Sequence, residues 1–252
     1  MNARETVLTA ATQLFGDRDP SAVDRWVSPT YRQHSALAAD GPDGLRALIA
    51  GLPDGFRYDL HRVLADGDLV ALHGTYHGFG PDPLVAFDVF RVEDGKLAEH
   101  WDALTPVVTT TVSGRSQTDG PTAVDGGADT EAARALVTGF VETVLKGGKV
   151  DAVTDFLSTQ TYHQHNVGIG DGLDGLGAAL TALAEQGVDM VYTDLHRVIA
   201  DGDFVLTVSE GSFGPTPTAF YDLFRVADGR IVEHWDITPQ IPATLPHGNG
   251  LF

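Results

Sequence analysis

The chain is 252 residues long and carries 35 acidic residues against 16 Lys and Arg, a formal charge of −19. A field of that sign disfavours nucleic acid and anionic membranes, which need basic patches, and reads as a solubilising surface. With no cysteine, thiol catalysis, disulfides and Cys-based zinc sites are excluded.

The opening MNARETVLTAATQLF lacks a continuous apolar run, so no signal peptide is expected there. No stretch approaches the roughly 20 apolar residues of a membrane span, and a cytoplasmic location follows as the expectation. Val7, Ala11, Leu14 and Phe15 fall at helical spacing and predict a first amphipathic helix. A short second helix is expected over residues 22–27. Tyr31, Gln33 and His34 follow on a predicted loop. A third helix begins near Asp43, a reasonable N-cap, with Leu45, Leu48, Ile49 and Leu52 on one face. Four strands come next, over 57–65, 69–76, 86–92 and 96–102, with Asp66-Gly67 and Glu93-Asp94-Gly95 as hairpin signals.

The same order then repeats. DLHRVLADGD at 59–68 returns as DLHRVIADGD at 194–203, and DVFRVEDGKLAEHWD at 88–102 returns as DLFRVADGRIVEHWD at 222–236. A period of about 134 residues is far beyond the roughly 20–50 of a solenoid unit, so each copy is a whole domain. The expected division is a first domain over 1–107, a Thr/Gly/Ser/Asp-rich linker over 108–130, a second domain over 131–242 and a tail over 243–252. In the second copy Leu136, Val137, Phe140, Val141, Val144 and Leu145 form the first helix, residues 150–157 the second, and a third starts near Asp174. Helices followed by an antiparallel meander make each copy an α+β half-barrel whose helices cover one face of a curved sheet and enclose a pocket.

The last hairpin closes in one of two registers. A two-residue Asp94-Gly95 turn sets Asp88 opposite Trp101. A three-residue loop with Gly95 in the left-handed position sets Asp88 opposite His100, Phe90 opposite Ala98 and Ala86 opposite Asp102. The second is preferred, since it gathers Asp88, Phe90, His100 and Asp102 on one face and leaves Phe87, Val89, Leu97 and Trp101 on the other. The second copy repeats it with Asp222, Phe224, His234 and Asp236, leaving Leu223, Ile231 and Trp235 outside. A carboxylate beside an imidazole in a half-apolar pocket is suited to proton transfer.

Tyr31, Gln33 and His34 return as Tyr162, Gln164 and His165, whereas His163 and Asn166 have no counterpart in the first copy. His61 and His196, two residues after Asp59 and Asp194, are either a second Asp–His pair or structural. His73 and His77 occur once only. A metal alternative groups His34, His73 and His100 with Asp88 or Asp102, without any recognised ligand spacing. There is no GxGxxG or Walker sequence and no nucleophile elbow, so no nucleotide cofactor or serine triad is expected.

The Tyr-x-Gln-His segment, the Arg-Val-x-Ala-Asp-Gly-Asp hairpin and the closing FRVxDGKxxEHWD pair resemble the SnoaL-like polyketide cyclase family of the nuclear transport factor two-like superfamily. The resemblance implies a cone-shaped α+β barrel with a deep apolar pocket. It also implies cofactor-free acid/base chemistry on a hydrophobic carbonyl compound, by aldol-type cyclisation, isomerisation or dehydration. It matches the family's catalytic carboxylate to Asp102 and Asp236; where the family has a pocket His, this chain has Asp88 and Asp222. Such proteins pair through their sheets, so the fused copies resemble a built-in pseudo-dimer. On this reading Asp102 and Asp236 abstract a proton and His100 and His234 orient them. His34 and His165, with the neighbouring Tyr, polarise an enolate oxygen. Tyr31, His73, Phe90, Tyr162, Asn166 and Phe224 contact substrate. Alternatives are a non-catalytic hydrophobic-ligand binder and a His/Asp metal-dependent or cofactor-free oxygenase or hydrolase.

Overall fold

A computed structural model describes all of residues 1–252. It divides the chain into two compact units, Met1–Val107 with Pro242–Phe252, and Val108–Ile241.

The first unit opens with helix α1 (Ala3–Ala11). A reciprocal capping box between Asn2 and Glu5 starts it, an arrangement that stabilises a helix by about 1 kcal/mol. A wide π turn, Thr12–Gly16, carries it on and brings Leu14 to the core beside Val7 and Ala10. It is Ala10 that is buried, while Ala11 is half-exposed. The short α2 (Val23–Trp26) runs directly into strand β1 (Val27–Gln33). Helix α3 (Gly41–Ala50) follows, then β2 (Arg57–Asp66), β3 (Leu69–His77), β4 (Leu84–Glu93) and β5 (Lys96–Pro106).

Two expectations are corrected here. Tyr31 and Gln33 lie on a strand, not a loop: β1 pairs in parallel with β5, giving the sheet order β1-β5-β4-β3-β2. The N-cap of α3 is Asp40, with Gly41-Pro42 opening the helix before Asp43. The Asp40 carboxylate accepts from the Gln33 backbone N–H at 2.9 Å, tying the helix start to the end of β1.

The β4–β5 hairpin takes neither expected register. Glu93 pairs with Lys96 across a two-residue turn in which Asp94 and Gly95 have φ of 51° and 72°. That is the type I′ geometry favoured by the right-handed strand twist. A bulge at Ala98 then inserts one residue, so Asp88 stands opposite Asp102 and Phe90 opposite His100. The polar set still shares one face. Leu97, expected outside, joins the inner core with Phe90 and Leu72, because the bulge reverses side-chain alternation between it and Trp101.

The second unit has α4 (Thr130–Phe140), a π turn Val141–Leu145, a 3₁₀ segment Val150–Asp155 and a two-residue β6 (His163–Gln164). Then come α5 (Gly172–Glu185), β7 (Met190–Asp201), β8 (Phe204–Phe213), β9 (Thr216–Ala227) and β10 (Arg230–Ile237). Its sheet order is β6-β10-β9-β8-β7, again with a parallel first pair. The same turn and the same one-residue bulge, at Val232, put Asp222 opposite Asp236 and send Ile231 into the core. Asp171, not Asp174, caps α5. Buried Val137, Phe140, Val141, Leu157, Phe224 and Ile231 pack the helices onto the sheet, each contributing roughly 1.5–3 kcal/mol of apolar burial. The α+β half-barrel is thus present twice.

Residues 108–121, expected as a linker, are packed within the second unit. Val112 N–H donates to Val167 O, Ser116 O accepts from His165 Nδ1 at 2.7 Å and Asp119 O accepts from Trp235 Nε1 at 3.0 Å. No helix is long and apolar enough to cross a membrane.

Candidate functional site

In the first unit the space between the helices and the inner sheet face is a cleft of about 390 Å³, its open mouth included. Phe15, Leu45, Leu48, Phe79, Phe90 and Leu104 give it an apolar wall; Tyr31, Gln33, Ser35, Tyr76, Asp88, His100 and Asp102 are its polar lining, with no Lys or Arg.

Burial is the main cause that pushes the Asp102 carboxyl up to about 6; His100 opposes the shift and Asp88 reinforces it. The Ser35 hydroxyl donates to this carboxylate. Asp88 accepts from Tyr76 Oη at 3.0 Å and from Tyr58 Oη at 3.4 Å, and lies 3.3 Å from His100 Nε2. The Phe90 ring stacks on His100 with centroids 4.5 Å apart. The Tyr31 hydroxyl accepts from Gln33 Nε2 at 3.2 Å, which leaves its own proton free to donate into the cleft. Burial drives the Tyr31 hydroxyl well above its usual range, so it stays protonated.

The second unit repeats the set. His234 Nε2 lies 3.1 Å from Asp222 Oδ1, and Tyr192 Oη donates to the same carboxylate at 3.3 Å. Burial works against a charged His234, but the Asp222 hydrogen bond and the charges of Asp236 and Asp222 outweigh it and raise its pKa. Burial likewise lifts Asp236, with His234 opposing and Asp222 adding to it. Asn166 takes the part of Ser35, donating from Nδ2 to Asp236 Oδ2 at 2.6 Å. Phe224 stacks on His234 at 4.7 Å, and Tyr162 Oη accepts from Gln164 Nε2 at 3.3 Å.

His34 and His165 are not among these residues. Each follows its pocket glutamine by one position and therefore points to the opposite face. His34 stacks on Trp101 at 4.9 Å, with Nε2 2.8 Å from Glu99 and Nδ1 2.9 Å from Gly250 O. His165 stacks on Trp235 at 4.5 Å and meets Glu233 at 3.0 Å. Both rings are held on the outer face by Trp and Glu partners, away from the cleft, so the expected role at an enolate oxygen is corrected.

His73 is likewise outside. It pairs with Phe87, stacks on that ring at 4.4 Å and accepts from Arg62 at 3.1 Å, while its neighbour Leu72 faces inward. Strand alternation thus separates His34 and His73 from His100, and the metal alternative built on those three has no common centre. Asp88, His100 and Asp102 do bring ligand atoms within 4.8 Å of one another. Both His100 nitrogens are engaged, however, and Asp88 is held by two tyrosine hydroxyls. His61 bonds Thr75, while Asp59 takes His77 and Arg57; His196 takes Glu210, so of the two readings open for His61 and His196 neither forms a second Asp–His pair.

Sequence reasoning assigned no role to Gln33, Gln164, Tyr58, Tyr76 or Tyr192. The tyrosines sit on strands whose inward face had no marker in the sequence. Gln33 did have one: its return at Gln164 within a repeated motif.

The model of the SnoaL-like domain matches residues 8–100 and again 137–234, well over half of the chain, and the chain belongs to that family. No curated protein matches it. Among solved structures, TsrD of Streptomyces laurentii is similar at 22% identity, covering 40% of this chain and 87% of its own, with a TM-score of 0.36. A steroid delta-isomerase of Pseudomonas aeruginosa is similar at 26% identity, covering 42% and 80%, TM-score 0.36. IdmH of Streptomyces antibioticus, a candidate polyketide cyclase, is similar at 17% identity, covering 41% and 92%, TM-score 0.35.

Proposed function

We propose that the protein is a cofactor-independent acid/base enzyme that enolises a small, neutral, largely apolar carbonyl compound. Asp102 is the base in the first unit and Asp236 in the second. What carries this reading is Asp102 itself, a carboxyl poised near 6 on the wall of an apolar cleft, beside His100 and under the free proton of Tyr31. A general base works best when its pKa lies near the operating pH.

The α C–H bond of the substrate breaks, its proton passes to Asp102, and the electron pair is held as an enolate whose oxygen accepts from the Tyr31 hydroxyl. Asp102 then returns the proton to a different carbon in an isomerisation. If the enolate instead closes onto a second carbonyl, the proton goes to the new alkoxide. A lining without Lys or Arg favours neutral substrates over anionic ones. Asp88, bonded to His100 and two tyrosines, holds the ring that faces Asp102.

The test is α-proton exchange of a panel of cyclic ketones in D₂O, followed by NMR. Asp102→Asn combined with Asp236→Asn should abolish catalysed exchange while the protein stays folded. Undiminished exchange in that double variant sinks the proposal. A protein that binds the ketones with no catalysed exchange is instead a hydrophobic-ligand binder.

A further inference from the structure

We infer that Gln33, and Gln164 in the second unit, are positioning residues that set the tautomer of the pocket histidine and aim the proton of the pocket tyrosine. The inference rests on the acid/base reading above.

The orientation of the Gln33 amide follows from its neighbours. The backbone N–H groups of His34 and Ser35 both point at one amide atom at 3.0 Å. A backbone N–H only donates, so that atom is the carbonyl oxygen Oε1. His100 Nδ1 lies 2.9 Å from the same oxygen, and an oxygen that only accepts requires a proton on Nδ1. The remaining nitrogen, Nε2, faces Asp88 Oδ1 at 3.3 Å.

The other end of the amide is then NH₂, which donates to Tyr31 Oη. With its lone pair engaged, Tyr31 turns its own O–H elsewhere, into the cleft. One buried side chain thus fixes both partners of the reaction centre. The second unit repeats the logic: Asn166 N–H meets Gln164 Oε1 at 2.9 Å, His234 Nδ1 meets it at 3.0 Å, and Gln164 Nε2 donates to Tyr162 Oη at 3.3 Å.

Two substitutions separate these duties. Gln33→Leu removes the acceptor for Nδ1. Gln33→Glu keeps an oxygen at that place and puts a second oxygen against Tyr31, which then donates to it and withdraws its proton from the cleft. The readout is the ¹⁵N spectrum of the imidazoles in the whole protein, at a pH high enough for neutral rings, together with the ketone exchange rate. His100 is expected to hold its proton on Nδ1 in the unaltered protein and in Gln33→Glu, and to lose that single-tautomer pattern in Gln33→Leu. His234 should keep its pattern throughout. Exchange in the first unit, measured in an Asp236→Asn background, should fall about 10²–10³-fold in Gln33→Glu, as for loss of one oxyanion donor.

A neutral His100 protonated on Nε2 in the unaltered protein overturns the inference, as does an unmoved pattern in Gln33→Leu. Should the leucine variant fail to fold, Gln33→Glu decides: full exchange activity there overturns it. The imidazole spectra are read with or without turnover, so failure of the enolisation reading is seen separately, in the Asp102→Asn test.

Discussion

Asp88 and Asp102 stand directly opposite each other on β4 and β5, two carboxylates on one inner face, with ligand atoms of both and of His100 within 4.8 Å of one another. Asp102 ends up raised to about 6 from an ordinary 3.8. The folded protein therefore binds this proton more tightly than the unfolded chain does. Native stability contributed by the neutral carboxyl is present below about 4 and is lost as pH rises through about 6. Asp102→Asn should be more stable than the parent at about pH 8, by on the order of 2 kcal/mol, with the difference closing by about pH 4. Urea unfolding at the two pH values checks this; a variant less stable at the higher pH contradicts it.

Glu233 has the opposite sign. Burial alone would raise it, but hydrogen bonds from His165 and Arg225 hold it below its ordinary 4.5. Its contribution is complete above that value and is lost as pH falls beneath it. Glu233 is 1% exposed at its side chain, whereas Glu99, its counterpart beside His34, is 12% exposed. Glu233→Gln should therefore cost more than Glu99→Gln, roughly 3 kcal/mol for the former. Paired denaturant titrations at neutral pH give the ranking.

Gly74 makes room for Tyr58. A Cβ there would lie 2.2 Å from Tyr58 Cζ, and the ring it displaces is one of the two whose hydroxyls reach Asp88. Gly74→Ala should destabilise the protein by about 1–3 kcal/mol. It should also slow ketone exchange, and Tyr58→Phe should slow it without the same loss of stability. Exchange that is slowed in Gly74→Ala but not in Tyr58→Phe would show that the ring, and not its contact with Asp88, is what matters.

The segment Pro242–Phe252 finishes the first unit. Gly250 O accepts from His34 Nδ1, Asn249 Nδ2 donates to Gln33 O and to Asp40, and His247 Nε2 donates to Ser35 O. Removing residues after Ile241 takes those partners away. Each lost hydrogen bond costs about 1 kcal/mol or more. Hydrogen exchange at the amides of Gln33, His34 and Ser35 should quicken at least tenfold in the truncated chain; unchanged protection would assign the tail no part in holding this strand end.

The duplication, the α+β order and the membership of Asp88, Phe90, His100 and Asp102 in one set were legible in the sequence. Repeated blocks and alternating polarity are local signals, and neither depends on which strand lies beside which. The parallel β1–β5 pair was not legible: a seven-residue segment with polar residues between Val27 and Gln33 becomes a strand only because β5 offers it an edge. The register turned on one bulge at Ala98, whose presence no hydrophobic pattern announces. Histidines were the least reliable guide. His34, His73 and His100 look alike in the sequence, but a single step along a strand reverses the face, so only His100 reaches the cleft. Sequence alone thus determined that two half-barrels exist and which hairpin holds the carboxylates. Tertiary structure decided which side chains meet, because a proton-sharing site is made of contacts between strands that the linear order leaves unpaired.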